Sequence, residues 1–183
     1  MIVFLDFEAS GLGKRGFPIE VGWVFESGEE EAHLIRPAPE WEEWDPSAER
    51  IHGLSRETLA REGEPHDAVA RRMVERLDGH ALFASAPSWD GQWLSRLLRA
   101  AGLPRHALRL RDTEEARRDS AIQALAEGGR GADDRLLETV LAEAAEEARA
   151  ADPAHRALAD ARREMALWRG MGDRVRAALA RPG

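Results

Sequence analysis

The amino-acid sequence predicts an α/β protein with a mixed five-stranded sheet flanked by helices. Two observations predict it: three extended segments follow one another at the start of the chain, and helices then alternate with two further extended segments. The length of 183 residues suits a single domain, 1–183, with residues from about 166 to 183 as a C-terminal helical extension. The hydrophobic fraction of 43% and the charged fraction of 33% are typical of a globular chain and exclude general disorder.

The predicted strands begin with segment 2–7, which is almost continuously apolar, as in a strand that is covered on both faces. Glycines mark a turn before the second strand, and Ser27-Gly28 indicates a hairpin into the third, which ends before Pro37. The remaining strands are predicted at 19–25, 32–36, 81–86 and 107–110.

Helices are predicted for most of the remaining chain. The segment between the third strand and Ser55 is rich in tryptophan and acidic residues and is predicted to be a loop. The predicted helices are a short one after Ser55, then 65–77, 92–101 and, interrupted by a glycine-rich loop at 128–131, the chain from Thr113 onward.

The composition excludes several classes of site. The chain has no cysteine, so it has no disulfide, no thiolate zinc site and no cysteine nucleophile. The first ten residues lack a basic segment and carry acids within their apolar stretch, unlike a signal peptide. No apolar run approaches the length of a membrane span, and we therefore expect a cytoplasmic protein.

The net charge of −8 argues against a nucleic-acid partner, because contacts with phosphate dominate such binding. The distribution of charge matters more than its sum, however. A site built from carboxylates and filled by divalent metal ions can hold phosphate even though the chain as a whole is acidic. The charge alone therefore leaves a metal-dependent nucleic-acid enzyme open.

The first chemical signal is Asp6-Phe7-Glu8, at the end of the first strand. Side chains two residues apart share a face of a strand, so Asp6 and Glu8 project together. Burying two carboxylates is costly unless they are paired or bind metal. Taken alone, the pair is equally well explained by a strand that ends in solvent.

The second signal is Asp90, between the fourth strand and the next helix. Aspartate is a favoured N-cap residue, and this structural explanation is the stronger one for Asp90 alone. Trp89 and Trp93 flank it, and large aromatic side chains are mostly part of the core.

The third signal is His155 with Asp160. Asp152-Pro153 resembles an N-cap followed by the first helical residue, which predicts His155 in the first turn of a helix and Asp160 deeper in it. Five residues do not repeat on one helix face, so the two side chains suit different tasks. Taken alone, the pattern is better explained by a surface histidine and an aspartate paired with Arg156 or Arg163.

Together and in this order, the three signals resemble the DEDDh family of 3′–5′ exonucleases, which includes proofreading subunits of DNA polymerases, oligoribonuclease and RNase T. The resemblance covers about residues 1 to 165 and implies a ribonuclease H-like fold. The matching segments are Asp6-Phe7-Glu8-Ala9-Ser10-Gly11-Leu12, Ile19-Glu20-Val21-Gly22, Ile51-His52-Gly53-Leu54, Asp112-Thr113 and His155 to Ala161.

Two departures from the family pattern concern the first and second motifs. The family usually has threonine after the glutamate, where this chain has Ala9. Its second motif usually reads His-Asn-Ala-x-Phe-Asp, whereas this chain has Ser85-Ala86-Pro87-Ser88-Trp89-Asp90. The departures affect expected substrate contacts and local geometry and leave the five expected catalytic residues in place.

The resemblance implies a mechanism with two divalent ions, Mg²⁺ or Mn²⁺, which prefer oxygen ligands. Asp6 would contact both ions. Glu8 and Asp160 would complete one site, and Asp90 would hold the second ion through water. His155 would be the general base, because an imidazole with a pKa near about 6.5 can accept a proton at neutral pH.

The implied substrate is the 3′ end of single-stranded DNA or RNA, released as nucleoside 5′-monophosphates. The sequence does not indicate whether the substrate is DNA or RNA, since contacts with the 2′-hydroxyl cannot be predicted from it. The residues implied to contact the terminal nucleotide are Ala9 and Ser10 through their backbone, and Leu12, His52 and Trp89 through their side chains.

Other readings stay open at the level of sequence. The altered second motif and the acidic charge favour a catalytically silent member that binds nucleic acid or a partner through the same cleft. An unrelated acidic helical interaction protein requires the three signals to be coincidental. The helical tail packs on the sheet or forms a homodimer, and the sequence favours neither.

Overall fold

The protein is described by a computed structural model that covers residues 1–131, 133–150 and 154–180. The strands are β1 Ile2–Ala9, β2 Pro18–Phe25, β3 Glu30–Arg36, β4 Glu64–Pro65, β5 Ala81–Ala84 and β6 Leu110–Asp112. The helices are α1 Pro46–His52, α2 Arg56–Glu62, α3 His66–Leu77, α4 Pro87–Ala100, α5 Thr113–Glu127, α6 Asp134–Ala150, α7 Ala157–Arg169 and α8 Met171–Leu179.

The strands form one mixed sheet in the order β4-β3-β2-β1-β5-β6. β1 pairs antiparallel with β2, which pairs antiparallel with β3, whereas β5 and β6 run parallel to β1. This arrangement confirms the predicted mixed sheet flanked by helices. The parallel strands bring the ends of β1 and β5 to the same edge of the sheet, and the chain turns into α4 directly beyond this edge.

β1 is covered on both faces, as its apolar sequence predicts. Val3, Leu5 and Phe7 belong to the main core, against which α3 and α4 pack. Phe4 lies in a separate cluster on the opposite face, with residues of α5 and α7. Because side chains alternate along a strand, Asp6 shares the face of Phe4. The first predicted acid therefore points toward α7, which carries Asp160.

The N-terminus of α7 lies unusually close to β2. A Cβ atom at Gly22 would lie 2.3 Å from the backbone nitrogen of Leu158, a distance that no side chain tolerates. Glycine is therefore required here for close approach of two backbones. The contact fixes where α7 begins relative to the sheet, and with it the position of the side chains in its first turn.

Most of the helical tail packs against other helices and not on the sheet. α8 packs against α5 and α6, and the three helices share a second hydrophobic cluster that includes Val140 and Val175. Trp168, at the end of α7, does reach the sheet, with its ring centroid 5.6 Å from that of Phe4. Of the two alternatives that the sequence leaves open, packing on the sheet thus applies to Trp168 and not to α8, and the homodimer stays a prediction.

Several predicted boundaries are wrong. The expected loop before Ser55 contains α1, for which Asp45 is the N-cap and accepts a hydrogen bond from Ser47 N. The two-residue strand β4 was not predicted. The strand predicted at 107–110 lies at Leu110–Asp112 instead, because the chain turns at Pro104–Ala107 and buries Leu108 in the core. Within the described residues, no helix has the length and apolar character needed to span a membrane.

Candidate active site

Four acids meet at the edge of the sheet where β1 ends, and we call Asp6, Glu8, Asp90 and Asp160 the carboxylate cluster. Asp6, Glu8 and Asp160 each offer a carboxylate oxygen, and these oxygens lie within 4.8 Å of one another. Asp90 lies near enough to Asp6 for its charge to act on that carboxyl. The structure thus brings together side chains that are separated by up to 154 residues of sequence (160 − 6).

Burial and mutual repulsion dominate the electrostatics of the cluster, and the charge of Arg163 offsets them only in part at Asp6. Burial, followed by the charge of Asp90, raises the pKa of Asp6 well above its ordinary value. Burial raises the pKa of Glu8 to about 7, with Asp160 as the next cause. Burial also raises the pKa of Asp90 to about 7. Asp6, Glu8 and Asp90 therefore resist ionisation near neutral pH in the absence of a cation.

Asp90 reaches the cluster from the first turn of α4. The helix begins at Pro87, five residues before the predicted start, because proline is suited to the first helical position. The N-cap is Ala86, so the interpretation of Asp90 as an N-cap is wrong. The Oδ2 atom of Asp90 is buried without a hydrogen-bond partner in the described part of the chain. An orphaned carboxylate oxygen at this point suits a cation.

Asp160 occupies the corresponding place in the first turn of α7. Its Oδ1 accepts a hydrogen bond from Ala154 N at 3.1 Å, and its Oδ2 accepts one from Arg156 N at 3.3 Å. Arg163 Nη1 lies 3.2 Å from Oδ1. One predicted alternative, an ion pair of Asp160 with Arg163, is thus present in addition to the carboxylate cluster.

His155 lies before α7 and not in its first turn. The helix starts at Ala157 with Arg156 as N-cap, and the Asp152-Pro153 cap that we expected lies outside the described residues. The backbone of His155 has a φ of 51°, in the left-handed region that few non-glycine residues adopt. The first-turn prediction is therefore wrong, and the histidine is held in a strained turn beside the cluster.

An ion pair between β2 and the start of α7 holds this turn. Glu20 is 3% exposed, and its carboxylate accepts hydrogen bonds from Arg156 Nη2 at 2.6 Å and from Arg156 Nε at 3.1 Å. It also accepts one from the backbone nitrogen of Ala157 at 3.0 Å. These bonds fix both residues that follow His155, so we call Glu20, Arg156 and Ala157 the β2–α7 clamp.

A cavity of about 230 Å³ opens beside the cluster, and we call it the site pocket. It lies between the end of β1, α1 and α4. Its lining combines apolar side chains with two histidines and one acid of the cluster. Among the residues that line it are Glu8, Ala9, Leu12, Ala48, Ile51, His52, Trp93 and His155.

The residues predicted to contact substrate differ in their placement. Ala9, Leu12 and His52 line the site pocket, and Leu12 is 66% exposed. Ser10 is fully buried: its backbone nitrogen donates to Phe17 O, its carbonyl accepts from Asp45 N, and its hydroxyl accepts from Phe17 N. The backbone N–H and carbonyl of Ser10 are thus both engaged inside the protein.

Trp89 is 40% exposed, so it is not a core residue. Its ring stacks on that of Trp93, with the centroids 6.0 Å apart and the planes at 27°. Trp93, which the sequence assigned to the core, is largely buried but lines the site pocket. The two rings together extend the apolar wall of the pocket to the surface.

His52 has one ring nitrogen engaged and one free. Its Nδ1 accepts a hydrogen bond from Leu54 N at 3.1 Å, so the proton of the neutral ring resides on Nε2. Burial lowers the pKa of His52 and keeps the ring neutral. Nε2 is buried and has no partner among the described residues, which leaves a donor available in the pocket wall.

Sequence reasoning missed Ile51, Trp93 and the clamp residue Arg156 as parts of the site. Ile51 is 57% exposed and lines the pocket, yet it was noted only as the first residue of a matching segment. A signal was present, since Asp45-Pro46 and Gly53 bracket α1 with a start and a stop. Recognising that helix would have placed Ile51 next to His52 on an element that faces β1.

The fold is that of known exonucleases. An exonuclease I structure with bound product is 18% identical, with a TM-score of 0.55 over 64% of this chain and 30% of that chain. The zinc-bound complex of Escherichia coli exonuclease I with single-stranded DNA is also 18% identical, with a TM-score of 0.68 over 97% of this chain and 41% of that one. Exonuclease I of Methylocaldum szegediense is 17% identical, with a TM-score of 0.56 over 64% and 28%.

These structures are longer proteins, and this chain spans less than half of the length of each. No protein-family model and no curated protein matches the sequence. The ribonuclease H-like fold expected from the sequence resemblance is confirmed by the structural similarity to exonuclease I.

Proposed function

We propose that the protein is a metal-dependent 3′–5′ exonuclease that removes nucleoside 5′-monophosphates from single-stranded nucleic acid. The observation that carries the proposal is the carboxylate cluster itself: three acids with oxygens within 4.8 Å, and a fourth beside them with a buried orphaned oxygen. The fold supports it, because the same fold is found in exonuclease I. Such a concentration of buried acids is unfavourable unless cations are bound.

The donor set fits Mg²⁺ or Mn²⁺, since every donor is a carboxylate oxygen. When bound, two such ions supply the positive charge that stabilises the attacking and leaving oxygens of a phosphodiester. Asp6 would hold both ions, and Glu8 and Asp160 would complete one site. Asp90, with its free Oδ2, would hold the second.

We assign His155 the role of general base. It lines the site pocket together with Glu8, so its ring lies beside the cluster and not within it. In this position an imidazole nitrogen can accept the proton of the attacking water without serving as a metal ligand. The β2–α7 clamp bonds the two residues that follow, which limits the movement of the backbone that carries His155.

The site pocket would hold the terminal nucleotide. Leu12 and Ile51 offer exposed apolar surface to a base, and Trp89 extends this surface outward. Such contacts tolerate any base, as an exonuclease requires. The free Nε2–H of His52 can donate to an oxygen of the sugar or base. Ala9 borders the pocket, whereas Ser10 would act only by holding the β1 turn in place.

The proposal is tested with matched single-stranded DNA and RNA oligonucleotides that carry a 5′ label. In Mg²⁺ or Mn²⁺ we expect a ladder that shortens from the 3′ end and free nucleoside 5′-monophosphates, both abolished by a chelator. Comparison of the cleavage rates of the two oligonucleotides shows whether the enzyme prefers deoxyribose or ribose. Binding of either one without any cleavage in Mg²⁺ or Mn²⁺ would identify the chain as the catalytically silent alternative.

A further inference from the structure

A second recess lies on the other side of α4, between that helix and the chain that leads to β6. We call it the α4 groove; it has a volume of about 620 Å³. α4 contributes Gly91, Gln92 and Ser95 to its lining, and the connecting chain contributes Arg105, His106 and Arg109. None of these residues belongs to the carboxylate cluster or to the site pocket.

The charge of this region is opposite to that of the whole chain. Between Gly91 and Arg111 there are five arginines and one histidine but no aspartate or glutamate, although the net charge of the protein is −8. Arg105 and Arg109 are exposed. Arg105 donates to His106 Nε2 at 2.7 Å, and neither arginine has a carboxylate partner among the described residues. The groove therefore presents unneutralised positive charge.

At Gly91 the backbone of α4 lines the groove without a side chain. It lies inside α4, where glycine in place of alanine costs about 1 kcal/mol. A Cβ atom there would meet no atom of the described chain within 4 Å, so packing within the protein does not require glycine. The close approach of a ligand would require it.

The groove begins at the turn of α4 that carries Asp90, because Pro87 and Gly91 both line it. The site pocket lies on the other face of the same helix, where Trp93 lines it. Gly91 and Trp93 are separated by about 200° around the helix axis, at about 100° per residue. The carboxylate cluster thus lies between two recesses: one apolar and one cationic.

We propose that the α4 groove binds the phosphate backbone of the single strand on the 5′ side of the bond to be cleaved. The inference rests on the proposed function, in which the site pocket holds the terminal nucleotide and the cluster holds the phosphate that follows. The strand beyond this phosphate has to leave on the side opposite the pocket. Arginines that have no acidic partner and a helix face without a side chain suit a polyanion that passes close to the backbone.

The test is the affinity of the protein for labelled single strands of increasing length, measured by fluorescence anisotropy in a chelator. We compare wild type with Arg105→Gln/Arg109→Gln and with Gly91→Gln, which places a neutral side chain in the groove. Arg36→Gln/Arg149→Gln is the matched control, since it removes two exposed arginines elsewhere that have no ion pair in the described part of the chain.

For both groove variants we expect the affinity to fall at least about 10-fold for a long oligonucleotide, and much less for a dinucleotide. For the arginine variant the slope of log affinity against log salt should decrease by about 1.4, at about 0.7 per phosphate contact on a single strand. Gly91→Gln should lose affinity while the melting temperature stays the same or rises, an outcome that a purely structural role of Gly91 excludes.

Equal affinities of wild type and both groove variants for every length would overturn the proposal, as would a loss of the same size in the control variant. Preferential binding of a polyglutamate peptide in the groove, with oligonucleotide affinity unaffected by the variants, would assign it to an acidic protein instead. The chelator separates this test from the proposed function. Wild-type cleavage with unchanged variant affinities refutes the groove alone, and absence of wild-type cleavage refutes the exonuclease.

Discussion

At the scale of single residues, the carboxylate cluster lowers the stability of the metal-free fold, although the same ionised carboxylates are what the proposed metal site needs. The pKa of Asp6 is raised by burial and by all three other acids of the cluster. Its ionised form is therefore unfavourable in the metal-free fold. This opposition has consequences that can be measured without any assay of activity.

Asp6→Asn should leave the metal-free protein as stable as wild type or raise its melting temperature by about 2–4 °C, the equivalent of roughly 1 kcal/mol for a chain of this size. The reason is that folding no longer opposes the ionisation of a carboxyl at this position, while the volume of the side chain is kept. Addition of Mn²⁺ should then stabilise the variant less than the wild type, because binding to the native state shifts unfolding by mass action. Thermal denaturation with and without Mn²⁺ measures both effects.

Asp119→Asn is the control for this prediction, since it removes an exposed carboxylate that lies on α5, outside the cluster, and pairs with Arg111. It should respond to Mn²⁺ as the wild type does. An Asp6→Asn protein that is stabilised by Mn²⁺ to the wild-type extent, or that still cleaves at the wild-type rate, would remove Asp6 from the metal site.

His155 permits a separate test of the chemical step. Its φ of 51° makes alanine a poor replacement, whereas asparagine adopts the left-handed region readily and cannot act as a base at neutral pH. His155→Asn should therefore keep the fold and the stabilisation by Mn²⁺ but lower the rate of cleavage about 10²–10⁴-fold. Rates and melting curves of the same preparation provide both readouts. Cleavage at the wild-type rate would require a different general base.

At the scale of elements, the structure shows why the candidate site was easier to predict than the boundaries around it. The alternation of β1 places Asp6 and Glu8 on one face, and any strand at this position gives that result. The position of His155 depended instead on where α7 begins. That start is set by a tertiary contact, the close approach of Leu158 to Gly22, which no local pattern reveals.

α4 and α1 were mispredicted for a different reason. In both cases a proline at the first helical position was interpreted as part of a loop: Pro87 in α4 and Pro46 in α1. The start of each helix could have been predicted from the local sequence, since proline is favoured at the first helical position. The strand β6 could not be placed in this way, because only three residues pair with β5 and the burial of Leu108 decides where the chain turns.

The β2–α7 clamp can be tested at this scale. Glu20→Gln leaves Arg156 without its buried carboxylate and weakens the bond to Ala157 N. We expect a loss of about 1–3 kcal/mol of unfolding free energy, the usual effect of removing one partner of a buried hydrogen bond. The rate of cleavage should fall more than the affinity for oligonucleotide does, because the position of His155 depends on the clamp.

Glu30→Gln is a matched control for the clamp. Glu30 also joins the sheet to α7, through Arg162, but on the exposed surface. Exposed ion pairs contribute about 0–1 kcal/mol, so this variant should differ little from wild type in stability and in rate. Equal behaviour of the two variants would show that the clamp does not position the catalytic turn.

At the scale of the whole molecule, acidic and basic residues are separated along the chain and in the fold. Three acids of the cluster lie together, whereas the segment from Gly91 to Arg111 is free of acids. The sequence predicted the first of these features from motif spacing. It did not predict the second, because the meaning of an acid-free segment depends on its lying beside Asp90 in the fold.

The pH dependence of stability follows from the raised pKa values of Asp6, Glu8 and Asp90. In the unfolded chain these groups lose their protons near their ordinary pKa values, about 4. The fold retains protons on Glu8 and Asp90 up to about pH 7. The native state thus binds more protons between these limits, and its metal-free stability must fall as the pH rises from about 4 to about 7.

His52 acts in the opposite direction, since its lowered pKa makes the native state less stable as the pH falls below the ordinary value for histidine. A variant is therefore needed that removes the contribution of the acids and keeps that of His52. Asp6→Asn/Glu8→Gln should flatten the fall in metal-free melting temperature between about pH 5 and pH 8, leaving the contribution of His52 in place. In wild type, saturating Mn²⁺ should raise the melting temperature more at the higher pH, because the ions bind ionised carboxylates. If the wild-type and variant profiles in chelator coincide, the acids of the cluster do not govern stability in this range.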